Sequence, residues 1–309
     1  MKDEASGNRL GEYLRARREL VTPAQVGLPA GGNRRVPGLR REEVALLAGI
    51  SPDYYLRLER GRDKNPSPQV LESLARVLLL DEVERTYLLG LTAARPRAPR
   101  RKRPEHVPAR VHELLAHLQV PAFVEGRAFD VLASNPMAVA LSPRLRPGEN
   151  RLRSLLLDPE ERAFHQDWAK ATAEFVAALR TTIGDDTDDP RFVELVGELA
   201  LSSQRFRALW ARHDVRVLAG GTTTVNHPVV GELRLHRDKL PIDDVILVVY
   251  YPDKDSDSDE KLRLLAALSH PDSTGGFRPG ASGAAHHGPA HHGPADNSRP
   301  AGDPHPTTL

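Results

Sequence analysis

Six polar side chains between residues 51 and 64 carry the chemistry of nucleic-acid binding: Ser51, Tyr54, Arg57, Arg60, Arg62 and Lys64. A guanidinium fork pairs bidentately with phosphate or with the edge of a guanine. Hydroxyls donate to phosphate oxygens, which fixes register without reading sequence. Arg57 is the side chain expected to reach a base, while Arg60, Arg62 and Lys64 continue a basic edge that would hold phosphates. Arg34, Arg35, Arg40 and Arg41 form a second cluster of the same chemistry. Pro52, Asp53 and Leu56 share the outward face with Arg57.

These residues need two helices to position them, and residues 37–62, PGLRREEVALLAGISPDYYLRLERGR, contain both. Val44, Leu47 and Ala48 repeat at i, i+3, i+4, which predicts one buried face on a first helix. Gly49 permits a turn with unusual backbone angles. Ser51 is a good N-cap and Pro52 a good first helical residue for a second helix. Ile50, Tyr55 and Leu58 then point inward. A helical hairpin whose arginines only solvate its surface is the bland alternative. The turn glycine, the cap and the buried triplet occurring together favour a helix built to enter a major groove.

The net charge of +1 conceals an asymmetry. Residues 1–104 hold 21 Lys and Arg against 13 Asp and Glu, and the remainder holds 22 against 29. A basic first part and an acidic second part imply that only the first touches phosphate. The chain has no cysteine, which excludes disulfides, thiol catalysis and cysteine-ligated zinc. No apolar run follows Met1, and the longest apolar stretch, Val245 to Tyr251, is too short to span a bilayer. The expectation is a soluble cytoplasmic protein with no membrane partner.

Along the chain, residues 8–94 read as an all-helical domain, with Leu10, Tyr13 and Leu14 starting an amphipathic helix. A Pro- and Gly-rich loop over 21–38 follows. Further helices are expected near 40–48, 52–60, 68–79 and 82–91, with Ser67 and Asp81 capping the last two. A Pro/Arg-rich linker occupies 95–107. A second domain is expected over 108–269. It begins with a helix near 111–119 and a strand pair within PAFVEGRAFDVLASN. Two long helices over 160–182 and 190–213 come next, then strands at 215–219, 229–236 and 245–251. That order predicts an α+β, PAS-like domain with an antiparallel sheet and helices on one face. Residues 270–309, with HHGPA repeated, lack a periodic apolar face and are expected to be a disordered tail.

Residues 8–92 resemble the xenobiotic-response-element class of lambda-repressor-like helix-turn-helix regulators. The resemblance implies a structural pair between Arg18 and Glu59 of the sequence Leu58-Glu59-Arg60-Gly61. The long loop at 21–38 is typical of one subgroup, the bacterial MmyB-like regulators, and residues 110–268 are similar to their C-terminal domain. The matching stretches are Asn135 after VLAS, NRLRSLLLDP at 150–159, Trp168, Leu179-Arg180, SSQRFRALWARHDV at 202–215 and HPVVGEL at 227–233. The resemblance implies a transcription regulator that binds double-stranded DNA, most readily as a homodimer. Its PAS-like domain would sense an apolar small molecule such as a fatty acid, with no cofactor.

For that ligand the candidate lining is aromatic: Phe123, Phe129, Trp168, Phe175, Phe206 and Trp210. Aromatics at helical spacing, such as Phe206 and Trp210, are more often plain core. Arg180, Arg205, Arg207, His213 and His227 are polar candidates for a headgroup. No phosphate loop, nucleophile elbow or H-E-x-x-H is present, so no catalytic or metal-binding residue is assigned. Asp185, Asp186, Asp188 and Asp189 read as a solvated acidic turn, and the tail histidines 286, 287, 291 and 292 as incidental. Two rival readings of the second domain stay open, an enzyme on a PAS-like scaffold and a ligand-free dimerisation or partner-binding module.

Overall fold

The computed structural model describes residues 8–29, 34, 36–92, 105–184 and 186–269. The expectations for Arg35, for Asp185, for most of the linker and for the tail lie outside the described residues.

Five helices form the N-terminal part, called the reader below after the expectation from sequence: α1 (Arg9–Leu20), α2 (Arg41–Ala48), α3 (Pro52–Glu59), α4 (Pro68–Val77) and α5 (Glu82–Gly90). Local chemistry sets their ends. The Ser51 hydroxyl accepts from the Tyr54 N–H at 3.2 Å, and the Asp81 carboxylate from the Glu84 N–H at 2.9 Å. Gly49 closes α2 at φ +70°, a conformation that a side chain would strain. Tyr13, Leu14, Leu39, Val44, Tyr55, Leu58 and Leu74 are buried in one core. On α2 the buried face is Val44, Ala45 and Ala48, and Leu47 remains 38% exposed. The small Ala45 takes the inward position, so the larger Leu47 turns to the rim.

The C-terminal part, called the sensor after the expectation from sequence, opens with α6 (Ala109–His117), β1 (Ala122–Glu125), β2 (Val131–Ser134) and α7 (Pro136–Leu141). Five helices then run in series: α8 (Arg151–Leu157), α9 (Pro159–Phe164), α10 (Trp168–Ile183), α11 (Pro190–Ser202) and α12 (Gln204–Trp210). Strands β3 (Gly221–His227), β4 (Gly231–Ile242) and β5 (Val245–Tyr251), with α13 (Asp257–Ser269), complete the domain. The strands form one antiparallel sheet in the order β2-β1-β5-β4-β3.

Helices lie on both faces of the sheet rather than one. Val111 and Leu115 of α6 pack with Val124, Ala133 and Leu247, while α7 and α13 pack on the opposite face with Phe123, Leu233, Leu235 and Val248. Each of the two long helices expected from sequence is broken in two. Asp167 caps α10 afresh after His165 bridges to Val225 of β3, and Ser203 caps α12. Residues 215–219 form no strand, and β3 begins at Gly221 instead. No helix among the described residues is long and apolar enough to cross a membrane.

Candidate nucleic-acid interface and ligand cavity

In α3 the inward residues Tyr55, Leu58 and Glu59 are buried, which turns Pro52, Asp53, Arg57 and Arg60 to solvent, with Tyr54 and Leu56 half-buried. The Arg57 guanidinium lies 5.4 Å from the Tyr54 ring centroid, a cation–π contact that steadies a long side chain at the helix front. Arg60, Arg62 and Lys64 continue the exposed edge. Ser51 spends its oxygen as the α3 cap.

Two members of the second basic cluster, Arg34 and Arg41, are committed to the fold. Glu59 is buried and takes two arginines: Arg18 Nε on Oε1 and Arg41 Nε on Oε2, each at 2.6 Å. Arg18 also donates to the Leu39 carbonyl at 2.9 Å, so one carboxylate ties α1, α2 and α3 together. Arg34 forks onto Glu43 at 2.9 and 2.7 Å and reaches the Gly38 carbonyl, closing the loop onto α2. That fork holds the Glu43 carboxyl below its ordinary value. The Arg40 N–H is capped by Glu43 at 2.7 Å.

A cavity lies in the sensor between the sheet and α7–α10. Leu141, Leu145, Leu155, Phe164, Phe175, Val225 and Leu235 give it apolar walls, and Ser142, Arg144, Arg151, Ser154, Glu161, His165 and Tyr250 supply polar groups. The free space is about 30 Å³.

Beneath the cavity sits a buried charge cluster. The Arg151 guanidinium is sandwiched between the Phe123 and Phe175 rings, at 4.8 and 4.9 Å. It donates to Glu125 Oε2 at 2.7 Å and to the Tyr250 hydroxyl at 3.0 Å. Lys239 pairs with the other Glu125 oxygen. Register explains the meeting: Lys239 faces Val248 on β5, Val248 faces Phe123 on β1, and Glu125 is two residues on, on the same face. Burial alone would raise the Glu125 carboxyl, but the Arg151 and Lys239 charges hold it below its ordinary value. Burial pushes the Lys239 ammonium down to about 8 despite the carboxylate beside it. Two cations meet one carboxylate in this cluster, and the Arg151 charge also interacts with the Glu161 carboxylate at the cavity wall.

At the cavity wall Ser142 donates to Glu161 at 2.6 Å, and His165 Nε2 lies 3.3 Å from the other Glu161 oxygen. Burial favours the neutral acid at Glu161, yet the bonds from His165 and Ser142 keep it below its ordinary value.

Of the aromatic residues chosen from sequence, Phe175 lines the cavity. Phe123 backs it from beneath Arg151, and Phe129 packs on Phe175 at 5.1 Å. Trp168, Phe206 and Trp210 belong to the helical core away from the cavity. The Trp168 indole N–H donates to the Leu155 carbonyl at 2.6 Å, and Phe206 stacks on Trp210 at 5.3 Å. The polar candidates are also elsewhere. Arg205 binds Thr172 and Ala169, Arg207 binds Ala200, and His227 contacts the Ala140 carbonyl. Arg151, Arg144, Glu161 and His165 went unread in the sequence. The only local signal was NRLRSLLLDP, which marked a stretch without marking a role. The acidic turn puts Asp186 on Arg127 at 2.7 Å, and no metal-ligand cluster occurs among the described residues.

Two family models match the chain. A helix-turn-helix domain matches residues 9–88, and an MmyB-like transcription regulator ligand binding domain matches residues 107–265, more than half of the chain. No curated protein matches it. With a capped helix followed by a basic edge in one matched region and a helix-covered antiparallel sheet in the other, the chain belongs to the MmyB-like transcription regulators.

Proposed function

We propose that this regulator reads operator DNA through α3 and answers to an amphipathic small molecule of the fatty-acid type held in the sensor cavity. The observation that carries the ligand reading is the combination of apolar walls with a buried guanidinium, Arg151, at the cavity. A carboxylate is the natural partner of such a group, and an alkyl chain of such walls. Sites for drug-sized ligands enclose roughly 300–1,000 Å³. The cavity's 30 Å³ is an order of magnitude less. Binding therefore requires the walls to move, and a ligand that fits only the moved state shifts the population toward it.

Phe175 is the aromatic that we place against the ligand. Phe123 and Phe129 support the wall from behind, and Trp168, Phe206 and Trp210 fill the helical core. Catalysis has little to recommend it. Ser142 and His165 both bind Glu161, whereas a serine nucleophile needs its histidine between hydroxyl and carboxylate.

The second reading, a ligand-free dimerisation module, draws on the small size of the same cavity. Native mass spectrometry of the purified full chain, followed by organic extraction and by titration with sodium oleate, separates the two. A co-purifying amphiphile, or saturable oleate binding that Arg151→Met weakens at least tenfold, supports the sensor. A clean mass with no oleate binding favours the module. The same spectrum gives the oligomeric state, for which we expect a homodimer meeting half-sites about 34–36 Å apart.

DNA contacts divide by role. Arg57→Ala is expected to lose about 1–3 kcal/mol of discrimination between operator and scrambled duplex, the value of one bidentate base contact. Lys64→Ala should weaken all duplexes alike and reduce the slope of log K against log salt by about 0.9, one phosphate's worth. Fluorescence anisotropy across a salt series measures both. An Arg57 variant with full sequence preference would place that side chain off the bases.

A further inference from the structure

The segment after α12 leaves the sensor and enters the reader. Val215 is 5% exposed and packs in the same core cluster as Tyr13, Leu14 and Leu88, all reader residues. Beside it Asp214 Oδ1 accepts from Arg17 Nη1 of α1 at 3.0 Å. Arg17 is itself buried, and it pairs with Glu84 of α5 as well. A second tie runs from Arg9 of α1 to the Gly184 carbonyl, at the end of α10.

Inside the sensor the segment is held to α10. The Arg180 guanidinium lies 3.9 Å from the Trp210 ring centroid, donates to the Trp210 carbonyl, and meets His213 Nδ1 at 3.2 Å. A guanidinium only donates, so His213 is the acceptor and neutral. Burial, with the Arg180 and Arg17 charges behind it, holds His213 at about 4, which agrees. The Arg216 N–H adds a bond to Thr181 Oγ1 at 2.9 Å. Residue 213 adopts φ +54°, an uncommon angle for a side-chain-bearing residue.

We propose that residues 210–217 are a latch that fixes the reader's direction relative to the sensor and that α10 works it. Phe175 lines the cavity, and Arg180 lies five residues, about 7.5 Å, further along the same unbroken helix. A ligand that enlarges the cavity displaces Phe175, and α10 carries that displacement to Arg180, Trp210 and the segment they hold. The latch stands on the contacts above; its trigger rests on the functional reading of the cavity.

The absence of cysteine makes the test clean. Spin labels on Gln69→Cys in the reader and Leu201→Cys in the sensor report the distance between the two parts of the full chain by pulsed electron resonance. Both positions are exposed. The parent chain should give one narrow distance distribution. Val215→Asp, which puts a charge into the reader core, should at least double its width, and Asp214→Asn should broaden it less. Should Val215→Asp fail to fold, Val215→Ser takes its place. A width unchanged by both the Val215 and the Asp214 variants overturns the latch. Sodium oleate added to the parent should also broaden the distribution. Broadening by the variants without any effect of oleate supports the latch and overturns oleate-type binding as its trigger, a failure of the functional reading alone.

Discussion

Glu59→Ala is expected to destabilise the reader by roughly 3–5 kcal/mol, the penalty for leaving a buried charge without its partner. The Glu59 side chain is 2% exposed and that of Arg18 7% exposed, so water cannot replace the lost carboxylate. The effect is compounded because Glu59 also holds Arg41, so three helices lose their common anchor. Thermal unfolding of the full chain, followed by circular dichroism, measures it. Arg41→Ala should cost under about 1 kcal/mol, since its half-exposed side chain keeps its water. A loss below 1 kcal/mol for Glu59→Ala would mean that Arg18 finds another partner.

Glu125→Ala should damage the sensor at least as much, again by roughly 3–5 kcal/mol. It leaves Arg151 and Lys239 facing each other with no anion between them, both side chains under one-tenth exposed. Part of that loss should return in Glu125→Ala/Lys239→Met, where one cation is gone and methionine fills the space. The lysine also gives the wild type a signed pH dependence. Its native value of about 8 lies below the ordinary 10.5. Between those values the unfolded chain binds the extra proton, so this group's contribution to stability rises with pH across that window and is absent below it. Denaturant titrations at pH 7.5 and 9.5 should show that rise in the wild type and its loss in Lys239→Met. Equal slopes in the two proteins would place the lysine's titration outside the window.

The reader was legible because its signals are local. A glycine at φ +70°, hydroxyl and carboxylate caps three residues before their N–H partners, and an inward face at helical spacing all lie within a few residues of what they control. Even there, spacing alone did not decide whether Ala45 or Leu47 turns inward, because that depends on how closely the neighbouring helices approach. Arg34 and Arg41 read as phosphate ligands by type, and their carboxylate partners, 9 and 18 residues away, are visible only after folding.

The sensor was legible in class and family rather than in detail. Residues 215–219 alternate like a strand, yet Val215 is taken by the reader's core, a partner some 200 residues earlier in the chain. Aromatic content marks what will be buried, and all six chosen aromatics pack in core clusters, but a cavity is the space that packing leaves over, and no residue type encodes it. The sequence by itself determined the α2–α3 hairpin, its caps and the family, because short-range hydrogen bonds and helical period are set by neighbours in the chain. Only the tertiary structure decided the Glu125–Arg151–Lys239 cluster, the cavity above it and the latch onto α1, because each depends on strand register and helix packing between segments far apart in sequence.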